Sequence, residues 1–375
     1  MENAMNEPPT SEDPASTQPQ EAPTVDQARG ARSGMKFAAV MILLAAILIA
    51  GFGIYQFTQD GSEEAPPIAE SGEERPLDQV SDKVFGAELL WRAPLESASM
   101  PSDIALVDER IFVLDSNNNS IVEIDDQGNV LHVLDSKSDS RLALQAPMAM
   151  TAHEDKLYVS NSGGGNVIVL NSDGVVQEVI TPEVGPTEYP LRPIGIAIAR
   201  NGQIFLSDPD NHRVLLLDQE GRLVTTLGSG TRDSGEYGFN TPGGLSLDAQ
   251  GNLYVVDMLN YAVKKYSPEE KFVLSLGEAG DTEGTFSRPK VVAVDGDGRI
   301  FVSDTLLVAV AVFGANGQYA GFIGREDPDD IRSGSMFQAP HGMKIVGDTL
   351  YIVDRFAGLF AFDLPEETVA EPTAD

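Results

Sequence analysis

The sequence contains no cysteine, only four histidines and a single tryptophan in 375 residues. Without cysteine the chain can form no disulfide bond, no thiolate metal site, no covalent haem attachment and no lipid-modified thiol. The histidines offer little material for a histidine metal site, which normally needs about three protein ligands. They are His132, His153, His212 and His341.

Basic residues are also scarce: 25 Lys and Arg stand against 58 Asp and Glu, a formal net charge of −33. So acidic a chain lacks the cationic contacts that nucleic-acid phosphates require, and we therefore expect no nucleic-acid partner. The same charge favours solubility and partners that are cationic or bridged by metal ions.

One segment of 21 residues, 37–57, carries no charge at all and is long enough to cross a bilayer as a helix. A buried core helix would normally show a polar stripe, and a cleaved signal peptide would be shorter and end in small residues. Basic residues precede the segment and acidic residues follow it. The positive-inside rule therefore predicts an uncleaved signal anchor over residues 36–57, with the N-terminus in the cytoplasm and the remainder periplasmic or extracellular.

The flanking segments lack the patterning of a packed domain. Residues 1–35 are rich in Pro, Glu, Gln, Ser and Thr and are predicted to be a disordered cytoplasmic tail. Residues 58–83 read as a flexible acidic linker, and 366–375 as a disordered tail. The globular part is therefore expected over residues 84–365.

That globular part is an internal repeat. Six units begin with a proline, at successive spacings of 46, 46, 49, 47 and 51 residues. Their first residues are Pro101, Pro147, Pro193, Pro242, Pro289 and Pro340. In each unit a short apolar strand, a polar turn and a second apolar strand follow the proline, and two further strands complete the unit. Four strands in each of six evenly spaced units predict a six-bladed β-propeller, an all-β fold.

The second strand ends in aspartate in five of the six units, and Asn161 takes that place in the second. A residue that recurs once per blade is expected to tie a loop to backbone N–H groups rather than to perform chemistry. These structural aspartates are Asp115, Asp208, Asp257, Asp304 and Asp354. The sixth unit lacks a fourth strand, and we predict that residues 86–94 (GAELLWRAP) supply it and seal the ring.

The unit PIGIAIARNGQIFLSDPDNHRVLLLD, residues 193–218, resembles the NHL repeat, and the likeness extends over about residues 86–365. His212 stands where that repeat places a structural histidine, whereas the other units depart from the Asn-His pair. The resemblance implies a bacterial envelope propeller, and this fold hosts many unrelated activities. Related amidating lyases hold a metal with several histidines that this sequence does not supply.

Topology places the proline-led positions, the loops after the second strands and the long inter-blade loops on one face of the propeller, where ligands usually bind. We predict that this face binds the ligand. Its residues are Ser102, Asp103, Met148, Ile194, Lys290, His341, Tyr261 and Phe356. A phenylalanine precedes three of the prolines by three residues: Phe239, Phe286 and Phe337. We interpret these as buried loop anchors, the alternative being a ligand-stacking ring.

Two functions fit these patterns. The first is a non-enzymatic scaffold or sensor that binds an envelope or membrane protein partner, without cofactor or metal. The alternative is a hydrolase or lyase that works at the channel mouth with His341 and Lys290. No nucleophile elbow, zincin motif or phosphate-binding glycine loop supports the enzyme. Calcium binding to the acidic loops stays open, although EDPDD at 326–330 lacks the spacing of an EF-hand loop.

Overall fold

The computed structural model describes residues 83–84, 86–95, 98–327 and 333–365, and these residues form six antiparallel sheets. The predicted N-terminal tail, signal anchor and C-terminal tail lie outside the described residues, as does the predicted linker except for its last residue. Part of the EDPDD segment lies outside them as well. In the part of the chain that is described, no helix is long and apolar enough to cross a membrane.

The first half of the described chain holds two leading strands and three complete blades. The leading strands are β1 (Lys83–Val84) and β2 (Ala87–Ala93). Blade 1 contains β3 (Pro101–Val107), β4 (Arg110–Asp115), β5 (Ser120–Ile124) and β6 (Val130–Leu134). Blade 2 contains β7 (Pro147–His153), β8 (Lys156–Asn161), β9 (Asn166–Asn171) and β10 (Val176–Ile180). Blade 3 contains β11 (Ile196–Ile198), β12 (Ile204–Asp208), β13 (Arg213–Leu217) and β14 (Leu223–Leu227).

The second half holds the other three blades. Blade 4 contains β15 (Pro242–Leu247), β16 (Leu253–Asp257), β17 (Ala262–Tyr266) and β18 (Phe272–Leu276). Blade 5 contains β19 (Pro289–Val294), β20 (Ile300–Asp304), β21 (Ala309–Phe313) and β22 (Tyr319–Ile323). Blade 6 contains β23 (Pro340–Val346), β24 (Thr349–Asp354) and β25 (Gly358–Asp363), with β2 and β1 added at its outer edge.

Burial within a blade is greatest in the two middle strands, because neighbouring blades cover both of their faces. In blade 3, all five residues of β12 are buried, whereas only the last residue of β14 is. This explains why the second and third strands read as continuous apolar runs rather than as an alternation of apolar and polar residues. The core is therefore a set of apolar layers between successive blades.

The ring closes as the sequence predicts. Strand β2 pairs antiparallel with β25, with Leu89 opposite Phe362 and Arg92 opposite Phe360. The first strands of neighbouring blades contact one another all the way round, including β23 of blade 6 with β3 of blade 1. The first and last strands of the described chain thus share one blade, and the prediction of a six-bladed all-β propeller is confirmed.

The three phenylalanines that precede prolines are buried anchors. Phe239, Phe286 and Phe337 are at most 3% exposed. Each ring packs on its own blade; the ring centroid of Phe337, for example, lies 5.0 Å from that of Phe360. Gly277 makes room for Phe286, because a Cβ there would collide with the ring. The stacking-ring alternative is therefore wrong, since buried rings offer no face to a ligand.

Candidate functional site

The first strands of the blades, with the residues beside them, surround a central cavity of about 260 Å³. In five of the six blades the proline that begins the unit lies opposite the residue that ends the second strand, as Pro340 does with Asp354; in blade 3 the first strand begins only at Ile196. The loop after the second strand therefore lies beside the start of the first, at the same end of the channel. We call this end of the channel its mouth.

The structure brings five of the predicted ligand-binding residues to the wall of one cavity. They are Asp103, Met148, Ile194, Lys290 and His341. Lys290 and His341 come from blades 5 and 6, and Asp103 from blade 1, so the charged groups share one sector of the channel.

The other three predicted residues lie elsewhere. Ser102 is buried, donates from Oγ to the carbonyl of Leu114 at 3.3 Å and accepts from Ser116 Oγ at 2.6 Å, so it is not available to a ligand. Tyr261 is half-buried and packs against the core between blades 4 and 5. Phe356 is 73% exposed in the loop between β24 and β25.

The recurring aspartates lie at the ends of the second strands and bind the neighbouring loops. Asp354 is fully buried, and its carboxylate accepts four backbone N–H groups at 2.7–2.9 Å. Asp208 differs, because the side chains of Asn211 and Arg213 occupy its oxygens. His212 has a left-handed backbone, with a φ of 47°, and its Nδ1 accepts from the backbone N–H of Thr241 at 3.2 Å. These contacts are local and hold loops together.

A cluster of positive side chains occupies the mouth on blades 5 and 6. Burial lowers the pKa of Lys290, and the nearby positive charges of Arg288 and Arg355 lower it further. Burial also lowers the pKa of Arg355. The negative charge of Asp304 acts on the pKa of Lys290 in the opposite direction but does not outweigh burial and the two positive charges. In a chain of charge −33, such a cluster is a departure from the bulk composition.

The side chain of Arg355 has a hydrogen-bond donor that no described residue satisfies. Its buried Nε has no hydrogen-bond partner among the described residues. Within the described part of the chain, neither Arg355 nor Lys290 forms an ion pair with a carboxylate. A buried N–H donor without an acceptor is costly unless a ligand supplies one. The mouth can therefore receive an anionic group.

The sequence prediction missed Arg355, although the repeat contains the signal. Arg355 directly follows the structural aspartate of blade 6, and no other blade has a charged residue there. The corresponding residues are Ser116, Ser162, Pro209, Met258 and Thr305.

The next position along these loops divides the face into two halves. In blades 4, 5 and 6 it holds Leu259, Leu306 and Phe356, which are 49%, 61% and 73% exposed. In blades 1, 2 and 3 it holds Asn117, Gly163 and Asp210, which are also exposed. The side of the face that carries the positive cluster therefore also presents three large apolar side chains. We call these three residues the apolar arc.

His341 is a neutral imidazole with a fixed orientation. Its Nδ1 lies 2.7 Å from the carbonyl oxygen of Ser102, and because a carbonyl only accepts, Nδ1 carries the proton. Burial, together with the positive charges of Arg355 and Lys290, lowers the pKa of His341 to about 3. The unprotonated Nε2 is then the ring atom that can accept a proton or hydrogen bond.

The described residues contain no group of three His, Cys, Asp or Glu side chains that could hold a metal ion. His341 alone does not make a zinc site, which normally takes about three protein ligands. The chemistry available at the mouth is thus the binding of an anion and hydrogen bonding to one imidazole nitrogen.

Comparisons with known proteins agree with the fold. Residues 82–257 match the family model of the outer membrane protein assembly factor BamB, which is less than half of the chain. A probable peptidyl-alpha-hydroxyglycine alpha-amidating lyase of Caenorhabditis elegans is 28% identical over 243 residues, 55% of this chain and 65% of that protein. Human NHL repeat-containing protein 2 is 25% identical over 272 residues, 60% of this chain and 35% of that protein. The chain thus spans less than two thirds of each relative.

Solved structures show the same architecture. Virginiamycin B lyase from Staphylococcus aureus superposes with a TM-score of 0.52 at 13% identity, covering 73% of this chain and 99% of that one. A gluconolactonase from Xanthomonas campestris gives a TM-score of 0.52 at 18% identity, covering 76% and 92%. At these identities the likeness concerns the fold alone. The chain is therefore a six-bladed β-propeller whose relatives include a protein named for NHL repeats.

Proposed function

We propose that the protein is a non-enzymatic binding module, anchored in the cytoplasmic membrane by residues 36–57 and displayed outside it. Its ligand is a segment of another protein that carries a carboxylate next to apolar side chains. The observation that carries this proposal is the asymmetry of the loop face. Positive groups without a direct ion pair to any described residue, together with three exposed apolar side chains, occupy the same half, blades 4–6, and break the repeat there.

The apolar arc favours an extended partner, because its members belong to three different blades. Covering a side chain that is half to three-quarters exposed contributes about 1 kcal/mol. Three such side chains account for about 3 kcal/mol, which is a weak interaction without further contacts. The carboxylate supplies the rest by occupying the unpaired Nε of Arg355 and neutralising the charge of Lys290.

A site-specific photocrosslinker tests this surface. The crosslinking amino acid is placed at position 356 in one variant and at position 117 in another, in the full-length chain within its native cells. Both positions are the second residue after a structural aspartate, and both are exposed. We expect a discrete crosslinked partner from position 356 and none from position 117. Equal crosslinking at the two positions would contradict a binding surface confined to blades 4–6.

Charge reversal tests the anionic group. Lys290→Glu, combined with the crosslinker at position 356, should abolish the crosslinked product, because the variant places a negative charge where the carboxylate binds. Lys137→Glu makes the same change of charge at a side chain that is 92% exposed and should leave the product unchanged. An equal effect of both variants would show that net charge alone controls the interaction.

The second candidate is an enzyme, favoured by the similarity to the amidating lyase and by the neutral His341 in the cavity wall. In this reading the unprotonated Nε2 of His341 is the base. The purified protein is tested for cleavage of a peptidyl-α-hydroxyglycine substrate, and its metal content is measured. Turnover that His341→Ala abolishes would establish the enzyme, whereas a metal-free protein without turnover would exclude this lyase activity.

A further inference from the structure

Deeper in the same channel, one blade places a lysine where the others place small residues. The fourth residue after the proline that begins each unit is Lys344 in blade 6. In the other blades it is Ala105, Thr151, Ala197, Ser246 or Ala293. The fold itself does not require a long cationic side chain at this position of the first strand, because the other five blades have none there.

The contacts of Lys344 leave its amine largely unpaired. Its Nζ donates to Thr151 Oγ1 on blade 2 at 3.3 Å, so the side chain extends past blade 1. No carboxylate among the described residues forms a direct ion pair with it. Burial lowers the pKa of Lys344, while the negative charge of Asp103 acts in the opposite direction.

Asp103 is the second exception in the channel. It occupies the position two residues after the proline, where the other blades have Ala149, Gly195, Gly244, Val291 and Gly342. Its oxygens accept the backbone N–H groups of Ile104 at 2.9 Å and Met150 at 2.8 Å. Burial outweighs these hydrogen bonds and raises the pKa of Asp103 to about 7. An acid that is half protonated near neutrality therefore lines the same cavity as the lysine.

Apolar side chains surround these two groups on several blades, although Lys290 and His341 line the same cavity. Its wall includes Met150, Ile196, Leu245, Val292 and Met343, and its volume of about 260 Å³ has room for a small organic molecule. Burial here lowers the pKa of the Lys344 amine and so favours its uncharged, nucleophilic form, which is how proteins prepare a lysine to react with a carbonyl group.

We propose that Lys344 is a reversible covalent binding site for a small aldehyde or ketone that enters the channel. The Nζ lone pair forms a bond to the carbonyl carbon, and the electron pair of the C=O bond moves to oxygen. A proton then passes from the nitrogen to that oxygen to give a neutral carbinolamine. Loss of water then gives the imine. Amine and carbonyl compound are thus converted to imine and water, with no oxidant or reductant. Asp103 donates a proton to the departing hydroxyl group and takes the proton that nitrogen loses as the neutral imine forms; hydrolysis of the imine reverses both transfers.

Trapping with propanal and sodium cyanoborohydride tests the site in the folded, full-length protein at pH 7. The reductant converts any imine into a stable N-propyl amine, and peptide mass spectrometry measures the rate at each lysine. Lys137 is the internal reference, because its side chain is 92% exposed. Each unit by which a pKa is lowered raises the free amine about tenfold. Because burial lowers the pKa of Lys344, we expect Lys344 to be alkylated faster than Lys137 in the folded protein.

Two control measurements test this proposal independently of the proposed binding function. In urea-unfolded protein the two lysines should react at similar rates, which shows that the preference requires the channel. Lys344→Met should lose the fast-reacting site while Lys137 keeps its rate. Alkylation of Lys344 no faster than Lys137 in the folded protein would overturn the proposal, and so would a preference that persists after unfolding.

Discussion

Removal of the Asp354 carboxylate should destabilise the propeller strongly, although Asp354 is only one of five aspartates that recur at the same position of the repeat. Its oxygens accept the backbone N–H groups of Gln338 and Ala339 at 2.8 and 2.7 Å, and those of Phe356 and Ala357 at 2.9 Å. One side chain thereby fixes both the loop that enters blade 6 and the loop that carries part of the apolar arc.

The magnitude follows from those four contacts. A hydrogen bond to a charged group contributes about 1.5–3 kcal/mol, so four of them set an upper bound of about 6–12 kcal/mol. Water entering the space left by the Asp354→Ala variant recovers part of this. A buried N–H group left without an acceptor costs about 1–3 kcal/mol, and with two or more of the four left unsatisfied we expect a loss of about 3–5 kcal/mol. This is a large fraction of the stability of a typical domain.

Urea unfolding monitored by tryptophan fluorescence measures the effect. Trp91 is the only tryptophan, and it lies in β2 of the same blade with its ring centroid 6.2 Å from that of Tyr351. Asp363→Ala is the matched control, because Asp363 has an exposed side chain at the end of β25. Free energies of unfolding that agree within about 0.5 kcal/mol for the two variants would refute the reasoning.

The asparagine variant sharpens the same test. Blade 2 has Asn161 in this position, where Oδ1 accepts from Gln145 N at 2.6 Å and Nδ2 donates to Ala143 O and Asn166 Oδ1. Blade 6 offers four N–H donors instead, so an amide nitrogen would face donors. We expect Asp354→Asn to be almost as destabilising as Asp354→Ala, despite its near-identical shape.

The remaining predictions concern the core and the channel. Phe286→Ala should cost about 3–5 kcal/mol in urea unfolding, because the fully buried ring leaves a cavity, whereas Phe356→Ala should cost almost nothing; equal losses would refute the anchor role. Asp103 has a pKa of about 7 in the folded protein and 3.8 in the unfolded chain, so the folded state holds an extra proton between these values. As the pH rises from 4 to 7, the free energy of unfolding of the wild type should therefore fall by up to about 4 kcal/mol relative to that of the Asp103→Asn variant. A difference between the two proteins that stays the same over this pH range would contradict the burial argument.

The fold could be predicted because the same pattern of strands and turns recurs in six units of the sequence. The proline spacing, the aspartate at the end of the second strand in five units and the missing fourth strand of unit six together predicted β2 as the closing strand. Likewise, Phe239, Phe286 and Phe337 recur at one offset from the proline, and recurrence indicates an architectural role. Such patterns depend on backbone geometry, which period and spacing encode directly.

The site was predicted less completely, because its residues are the ones that do not recur. Lys290 and His341 were recognised from their place after a proline. Arg355 and Lys344 were missed, since their significance lies in which charges meet across blades and which atoms lose water. Those properties depend on three-dimensional proximity and burial. A comparison of each position across all six units of the sequence would have identified Arg355 and Lys344 as the charged exceptions.

The most direct test of the proposed binding face is the ratio of crosslinked partner obtained from position 356 to that obtained from position 117. The account predicts a ratio well above one that falls to background when Lys290→Glu is introduced and is unaffected by Lys137→Glu. A ratio near one, or a product insensitive to Lys290→Glu, would show that the half of the face formed by blades 4–6 is not the binding surface.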